Sequence, residues 1–540
     1  MKKYIPSMIL VFLLILFGEA IFANNIRIKK LTLTDTIKTT KDIKIKFDLS
    51  WENSWRDDIN WDAAWITAKV KRPNGTWKHI KFQTSGNSIE GNPQNAKIVV
   101  PSDRMGAFIY RSSKGSGNID LSGIKILWNY GIDSVANIDS AEIRFFATEM
   151  VYVPQGSFAF GDSYTPTKDI YMQSSPDRLV SSIFKNFIPS DTTKFGRNTP
   201  MFTIISDKTS PKITTASTNS GPGNNSDQVI INGIYINGTK GIGINNEEPF
   251  KYSNYPVGYK AFYAMKYEVS QGQYTDFLNT TKVSTTNSSP PMPIPMTNML
   301  LPAPNSPNQP LVRFSIEKQG ENYIVSRPDR AMDYANSNHV FAFANWSSLR
   351  PMTELEFEKA ARGPLAPSYN DRANGKIPQG NMTPMGNNNL LVNSLKLNGA
   401  ENGTEAPVST DSTKFLALYD GNIEGGDGGS GAYRVGVFAT SSSSRSSSGA
   451  SYYGIMGLTD NASEFVISLN TESSRSFKEA NGIGENSSNG TPNINHWFAG
   501  TYFDSWSSSI YKNNWSGVSG RSSGGQSGGF RLVRSAPSDN

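Results

Sequence analysis

The chain has 540 residues, of which 37% are apolar and 11% aromatic, enough apolar side chains for a large core. This length predicts about two or three domains. Its 52 Lys and Arg residues against 46 Asp and Glu residues leave a net charge of +6, which is small for this length. Because no basic run or basic helix accompanies that charge, the composition argues against nucleic acid as a partner.

The first residues have the pattern of a secretory signal peptide. Lys2 and Lys3 precede the apolar run Met8–Phe17, and the small residue Ala23 follows. The run is too short for a membrane span, and Gly and Glu directly after it disfavour the alternative, a retained anchor. We therefore expect residues 1–23 to be removed, the mature protein to be periplasmic or secreted, and no transmembrane segment to be present.

Residues 24–149 carry the alternating pattern of short strands. Apolar side chains recur at period two, and turn residues such as Pro73-Asn-Gly separate the segments. The segments are Ile26–Leu33, Ile43–Leu49, Ala64–Val70, Lys97–Val100 and Ile124–Trp128. Short strands of this kind predict an all-β sandwich domain over residues 24–149.

Four tryptophans crowd the same region, at positions 51, 55, 61 and 65. They could form a surface that binds carbohydrate. Packing of tryptophans within strands is the commoner arrangement, and we expect core positions for them.

Two helices are indicated further along the chain, between segments of irregular composition. Ser270 with Gln273, and Thr353 with Glu356, form the Ser/Thr-x-x-Glu/Gln capping pattern ahead of apolar positions at helical spacing. Residues 163–250 and 280–310 are rich in Ser, Thr, Asn, Gly and Pro, and we expect loop insertions there.

Five separated segments resemble the formylglycine-generating enzyme family, the sulfatase-modifying factors, and occur in the family's order. They are Met150–Asp162, Phe262–Asn279, Leu349–Gly363, the weaker Gly454–Phe465, and Gly529–Val533. The resemblance spans roughly residues 150–535. It implies a variant of the C-type lectin fold over residues 150–540, and hence an α+β protein with the β-sandwich in front.

The copper chemistry that this resemblance implies has no ligands here. Family members hold Cu(I) with two cysteines of the C-terminal segment and convert a sulfatase cysteine into formylglycine with dioxygen. The chain contains no cysteine, and Asp504 and Ser509 stand at the corresponding positions. Cu(I) is soft and needs thiolate or thioether ligands. We therefore expect no copper and no formylglycine-generating activity.

A sister branch, the iron-dependent sulfoxide synthases, relies on three histidines. The histidines of this chain are His79, His339 and His496, and no two of them have the i, i+4 spacing of ligands on one helix. We expect surface or packing positions for them.

Structural calcium is implied at two places by the same resemblance. The first set is Asn422, Ile423, Asp427 and Gly429, and the second is Asp460, Ala462 and Glu464. Oxygen donors of this kind suit calcium. Gly457 stands where the family often has a side-chain ligand, and an ordinary Asn/Asp/Gly loop is the alternative at both places.

The C-terminal segment Trp497–Arg531 is dominated by Ser, Gly, Asn and aromatic residues, which are typical of adaptable binding surfaces. In the family this segment forms the face that holds substrate. The candidate ligand-binding residues are Tyr502, Asp504, Trp506, Tyr511, Trp515 and Arg521. A poorly packed loop region is the alternative.

Three functions remain open at this point. The leading hypothesis is a secreted, non-catalytic binding or surface-scaffold protein whose partner is a protein or a glycan. The first alternative is an enzyme with divergent, non-copper chemistry on the same face, with Asp504, Tyr502 and Arg521 as candidates. The second is a ligand-binding protein whose C-terminal segment is diversified.

Overall fold

The structure is a computed structural model that describes the following residues of the chain: 26–135, 137–160, 202–204, 229–231, 234–236, 255–281, 313–335, 337–365, 373, 432–437, 439, 448–458, 461–462, 464–467, 476–486, 497, 510–512, 521–522 and 528–537. The predicted signal peptide, residues 1–23, lies outside them.

A four-stranded antiparallel sheet forms the outer layer of the N-terminal part. Its order is β1 (Arg27–Ile37), β2 (Asp42–Arg56), β8 (Gly115–Asn129) and β5 (Ser88–Ile89). Buried and half-buried residues alternate along β2, as a strand with one covered face requires. The covered face includes Ile45 and Phe47, which share one apolar core with Ile66 and Ile109 of the second sheet.

The second sheet has eight strands and joins the two halves of the sequence. Its path is β17 (Arg350–Pro351), β21 (Leu532–Ser535), β14 (Phe262–Met265), β9 (Ile143–Val153), β3 (Asp62–Lys71), β7 (Ala107–Arg111) and β6 (Ala96–Val99), with β4 (Trp77–His79) paired to β3. Strand β9 pairs with β3 from Ile143 to Val151 and with β14 from Met150 to Val153. The division expected between residues 149 and 150 therefore falls inside one strand.

Strand β3 is buried on both faces, because the four-stranded sheet covers one face and the helices cover the other. Ala64 and Ile66 belong to the core between the sheets, whereas Ala63 and Trp65 belong to the core that also contains the helices. Of the four N-terminal tryptophans, positions 51, 61 and 65 are buried, as expected. Trp55 is half-buried and packs over Gly454, where an added Cβ would lie 2.6 Å from the indole ring.

Three helices lie within the described residues: α1 (Gln271–Thr280), α2 (Ser337–Trp346) and α3 (Glu354–Arg362). Both predicted capping boxes are confirmed, with Ser270 capping α1 and Thr353 capping α3. Aromatic side chains of α1 and α2, among them Phe277 and Phe343, pack edge to face with ring centroids 5.7 Å apart. No helix in the described ranges is long and apolar enough to cross a bilayer.

Small sheets complete the described structure. A hairpin joins β15 (Ile316–Gln319) to β16 (Asn322–Val325), and another sheet has the order β10 (Phe158–Phe160), β11 (Phe202–Ile204), β13 (Ile234–Ile236) and β12 (Val229–Ile231). The insertion 163–250, for which the composition predicts loop, thus contains strands β11, β12 and β13. The second predicted insertion, 280–310, lies outside the described residues beyond Thr281.

Candidate binding face and the charged cluster behind it

The C-terminal segment contributes two strands to a three-stranded antiparallel sheet. Its order is β18 (Glu464–Val466), β19 (Ile510–Lys512) and β20 (Arg521–Ser522). Tyr511 is the register partner of Phe465, and Arg521 is the register partner of Lys512. Two predicted ligand-binding residues, Tyr511 and Arg521, are therefore brought onto adjacent strands. Tyr502, Asp504, Trp506 and Trp515 lie outside the described residues.

Strand β18 fixes this small sheet to the interior. All three of its residues are buried, with Phe465 in the core of the helices and Val466 in the core beside α3. The Phe465 N–H donates to the Gly529 carbonyl at 3.1 Å, and the Ile467 N–H donates to the Met352 carbonyl at 2.9 Å. The candidate face is thus attached to the buried interior through main-chain hydrogen bonds.

A buried Arg–Glu pair lies where β18 meets the C-terminal strand. The Arg531 Nε donates to both carboxylate oxygens of Glu464, at 2.8 and 2.7 Å, and its Nη2 also donates to Oε1. Arg531 Nη2 lies 3.8 Å from the Glu268 carboxylate as well. Burial raises the pKa of Glu464, and the charge of Arg531 opposes that rise.

Lys266 continues the cluster toward the N-terminal strands. Its Nζ lies 3.0 Å from Glu149 Oε2 and 3.5 Å from Asp62 Oδ2. Asp62 also accepts from Trp51 Nε1 at 3.0 Å and from Ser54 Oγ at 2.7 Å. The side chains of Lys266, Glu149 and Asp62 are inaccessible to solvent. Contacts within the protein must therefore replace the water that each charged group loses on burial.

Burial raises the pKa of both acids that face Lys266, Glu149 and Asp62. Burial raises the pKa of Glu149 to about 8, although Lys266 opposes the rise. Burial also raises the pKa of Asp62, against the combined effect of Lys266 and its hydrogen-bond donors. Burial lowers the pKa of Lys266, but Glu149 and its other neighbours outweigh burial and raise it overall. The lysine therefore stays charged.

The predicted calcium ligands are only partly described. The first set, Asn422, Ile423, Asp427 and Gly429, lies outside the described residues, as does Asp460 of the second set. Ala462 is buried, and the carboxylate of Glu464 is engaged by Arg531. At Gly457 an added Cβ would lie 2.5 Å from Glu268 Oε2. Within the described part of the chain, no three His, Asp or Glu side chains are arranged to hold a metal ion.

The described histidines have packing positions, as expected. His79 is buried, and its Nε2 lies 2.7 Å from the Met105 carbonyl. Burial lowers the pKa of His79 well below its ordinary value. His339 is buried on α2 and meets Tyr274 edge to face. His496 lies outside the described residues.

The charged cluster was not predicted from the sequence, although a local signal exists. Lys266 and Glu268 interrupt an apolar stretch that is buried from Phe262 to Val269. Asp62 stands among buried residues in Trp61-Asp-Ala-Ala-Trp65. Charged residues inside an otherwise apolar strand usually have a charged partner, but its identity is not local information.

Antiparallel sheets, three helices and a buried Arg–Glu pair thus define the described part of the chain as a mostly β-sheet structure with few helices and a small C-terminal sheet. The family model of the Sulfatase-modifying factor enzyme 1-like domain matches residues 215–536, more than half of the chain. The chain belongs to this family. Comparisons with curated proteins and with solved structures found no match.

The matched range begins after the first resembling segment, Met150–Asp162. That segment is nevertheless joined to the matched range, since four residues of β9 pair with β14. The N-terminal strands and the family domain therefore share one sheet.

Proposed function

We propose that this chain is an exported, non-catalytic binding or surface-scaffold protein built on the sulfatase-modifying-factor fold. The observation that carries this proposal is a family domain without any cysteine. Asp504 and Ser509 stand where the resemblance implies the two copper thiolates. A carboxylate and a hydroxyl do not replace thiolates toward Cu(I).

The binding face is assigned to the C-terminal segment. The aromatic residues Tyr502, Trp506, Tyr511 and Trp515, with Asp504 and Arg521, supply contact area and hydrogen-bonding groups at low entropic cost. Support comes from β19 and β20, which continue a sheet whose first strand is buried and held by main-chain bonds. A protein or a glycan is the ligand class that suits such a face.

Binding is tested with the mature chain on glycan and protein arrays, followed by affinity measurement for the partner found. Trp506→Ala and Trp515→Ala should each weaken binding by about 2 kcal/mol while sparing the melting temperature. Trp77→Ala, on β4, is the matched control and should leave affinity unchanged. A large loss of stability with unchanged affinity would show that these rings are packing residues.

Absence of the oxidase reaction is tested separately, on a cysteine-containing sulfatase peptide with and without copper. We expect no aldehyde product above a control without protein. Detection of such a product by mass spectrometry would favour the enzymatic alternative over the binding role.

Export and calcium binding are further parts of the proposal. N-terminal sequencing of the exported protein should begin near Asn24, and an intact Met1 would contradict a cleaved signal peptide.

Calcium should raise the melting temperature because it binds the folded state only. Asn422→Ala and Asp427→Ala should remove that gain, and an unchanged melting temperature with chelator would contradict the calcium site.

A further inference from the structure

Lys69 of strand β3 is a buried lysine at a junction of three parts of the chain. Its Nζ donates to the Trp346 carbonyl, at the end of α2, at 2.9 Å. It also donates to the Gly484 carbonyl at 2.7 Å and lies 3.3 Å from His79 Nδ1 of β4. The amine thus joins β3 to α2 and to the segment 476–486, which we call the strap.

The strap lies directly against α2 and the His79 ring. The Gly484 N–H donates to the Asn345 carbonyl at 2.8 Å, and the Ile483 N–H donates to Asn345 Oδ1 at 2.9 Å. At Gly484, where φ is +80°, an added Cβ would lie 2.3 Å from the His79 ring. Glycine therefore lets the backbone of the strap reach the buried imidazole and Lys69.

The buried amine has little counter-charge when it is protonated. Burial lowers the pKa of Lys69 to about 7, and among the described residues Glu485 of the strap is the one carboxylate whose charge opposes that fall. The Glu485 side chain is 36% exposed and lies 3.7 Å from Arg72 Nη2. Solvent and Arg72 therefore share its charge, and a protonated Lys69 is costly in this position.

His79 supplies no negative charge to the junction. Its Nε2 lies 2.7 Å from the Met105 carbonyl, which only accepts, so the ring proton is on Nε2 and Nδ1 accepts from Lys69. Burial and the charge of Lys69 hold the pKa of His79 well below its ordinary value, with further contributions from Arg534 and Lys81. The imidazole therefore stays neutral between about pH 7 and pH 9.

We propose that the segment 476–486 is an acid-released strap, in which protonation of Lys69 favours a state where the strap has lifted and water reaches the amine. Lifting removes the Gly484 carbonyl from Lys69 and exposes the amine to solvent, where its pKa returns to 10.5. Because the solvated amine binds a proton more strongly than the buried one, acid stabilises the lifted state and alkali stabilises the closed state.

The strap also holds the first residue of the candidate binding segment. The Lys478 N–H donates to the Trp497 carbonyl at 2.6 Å, and Trp497 Nε1 donates to the Ala480 carbonyl at 2.7 Å. Release of the strap would therefore loosen Trp497 as well. That consequence for a binding face rests on the proposed function, whereas release of the strap does not.

Hydrogen exchange of the full mature chain tests the strap, with mass spectrometry of peptides that cover residues 476–486. Protection factors correct for the change of the intrinsic exchange rate with pH. As the pH falls from 9 to 7, the protection of this segment should fall by about tenfold or more, because the protonated amine favours the lifted state.

Lys69→Met keeps a long side chain that cannot bind a proton, and protection of its strap should be the same at both pH values. Lys71→Met, which removes an exposed ion pair with Glu142 on the same strand, is the matched control and should keep the pH dependence of the wild type. Constant protection in the wild type, or an equal fall in a folded Lys69→Met variant, would overturn the proposal. The wild-type result decides alone if Lys69→Met does not fold. Since no partner is needed, failure of the proposed binding role would leave this result unaffected.

Discussion

Glu149 and Lys266 meet through both their backbones and their side chains. The Lys266 N–H donates to the Glu149 carbonyl at 2.9 Å, and the two charged groups lie 3.0 Å apart. Strand pairing thus holds a lysine against an acid that solvent does not reach. Such a pair contributes less than its Coulomb energy because both groups lose hydration.

The pH dependence of stability should reveal Glu149. Burial raises its pKa from 4.5 to about 8, so the folded protein keeps a proton that the unfolded chain has released. Its contribution to stability is therefore complete below about pH 4.5 and is lost as pH rises through about 8. In chelator, wild-type protein should lose more free energy of unfolding between about pH 5 and pH 9 than Glu149→Gln does.

Urea denaturation at several pH values measures this difference. Comparison with the variant is needed because Lys69 makes stability change with pH in the direction opposite to Glu149. Burial lowers the pKa of Lys69 to about 7, so its contribution rises with pH between about 7 and 10.5. Parallel stability profiles for the wild type and Glu149→Gln would contradict the buried, proton-binding carboxylate.

The sequence alone did not identify the partners of the buried charged residues. The resemblance assigned Glu464 to calcium, whereas the structure places it against Arg531, which is 67 residues away in sequence. Arg531 belongs to the segments Trp497–Arg531 and Gly529–Val533, and neither segment indicates a partner for its guanidinium group. Contacts across such separations depend on strand order, which no local pattern encodes.

At the scale of elements, the capped helices were predictable because their signals are local. Ser270 with Gln273 and Thr353 with Glu356 satisfy backbone groups three residues apart, and both pairs form as expected. Strands β2 and β3 were predictable from period-two alternation in the same way. Strands β11, β12 and β13 have three residues each, which is too short for a periodic signal, and β11 pairs with β10 and β13 across long separations in the sequence.

The start of α3 should be the more sensitive of the two capped ends. Thr353 Oγ1 accepts from the Glu356 N–H at 3.2 Å and donates to the Pro256 carbonyl at 2.8 Å. Thr353→Ala removes both bonds and should lower the free energy of unfolding by about 1–2 kcal/mol. Chemical denaturation measures the loss.

Thr353→Ser is the matched control because it keeps the hydroxyl and loses only a methyl group. It should retain most of the stability of the wild type. Equal losses in the alanine and serine variants would mean that the methyl packing of Thr353, and not its cap, stabilises this end of the helix.

At the scale of the molecule, the two predicted domains share a sheet and a core. Trp61 stacks on Tyr152 at 3.9 Å, and its indole N–H donates to the Tyr263 hydroxyl at 3.1 Å. Trp65 donates to the Ser347 carbonyl at 3.1 Å, and Arg534 lies over its ring. The sequence placed a boundary at residue 149 because the family segments begin there. Composition carries no sign that strand β9 continues across it.

Unfolding should therefore be cooperative across that boundary. Strand β9 loses its pairing with β3 along nine residues if the N-terminal part separates, and the Trp61 and Trp65 positions in the core become empty. Calorimetry of the mature chain should show the N-terminal strands and the family domain melting together.

A chain beginning at Met150 should be expressed in aggregated form, because β14 and the remnant of β9 would present unpaired edges and apolar surface. Lys266 and Glu149 would also lose Asp62, the acid that the N-terminal part supplies. Two well-separated transitions, together with a soluble, folded chain from Met150, would show instead that the N-terminal strands are an independent domain resting against a self-sufficient family fold.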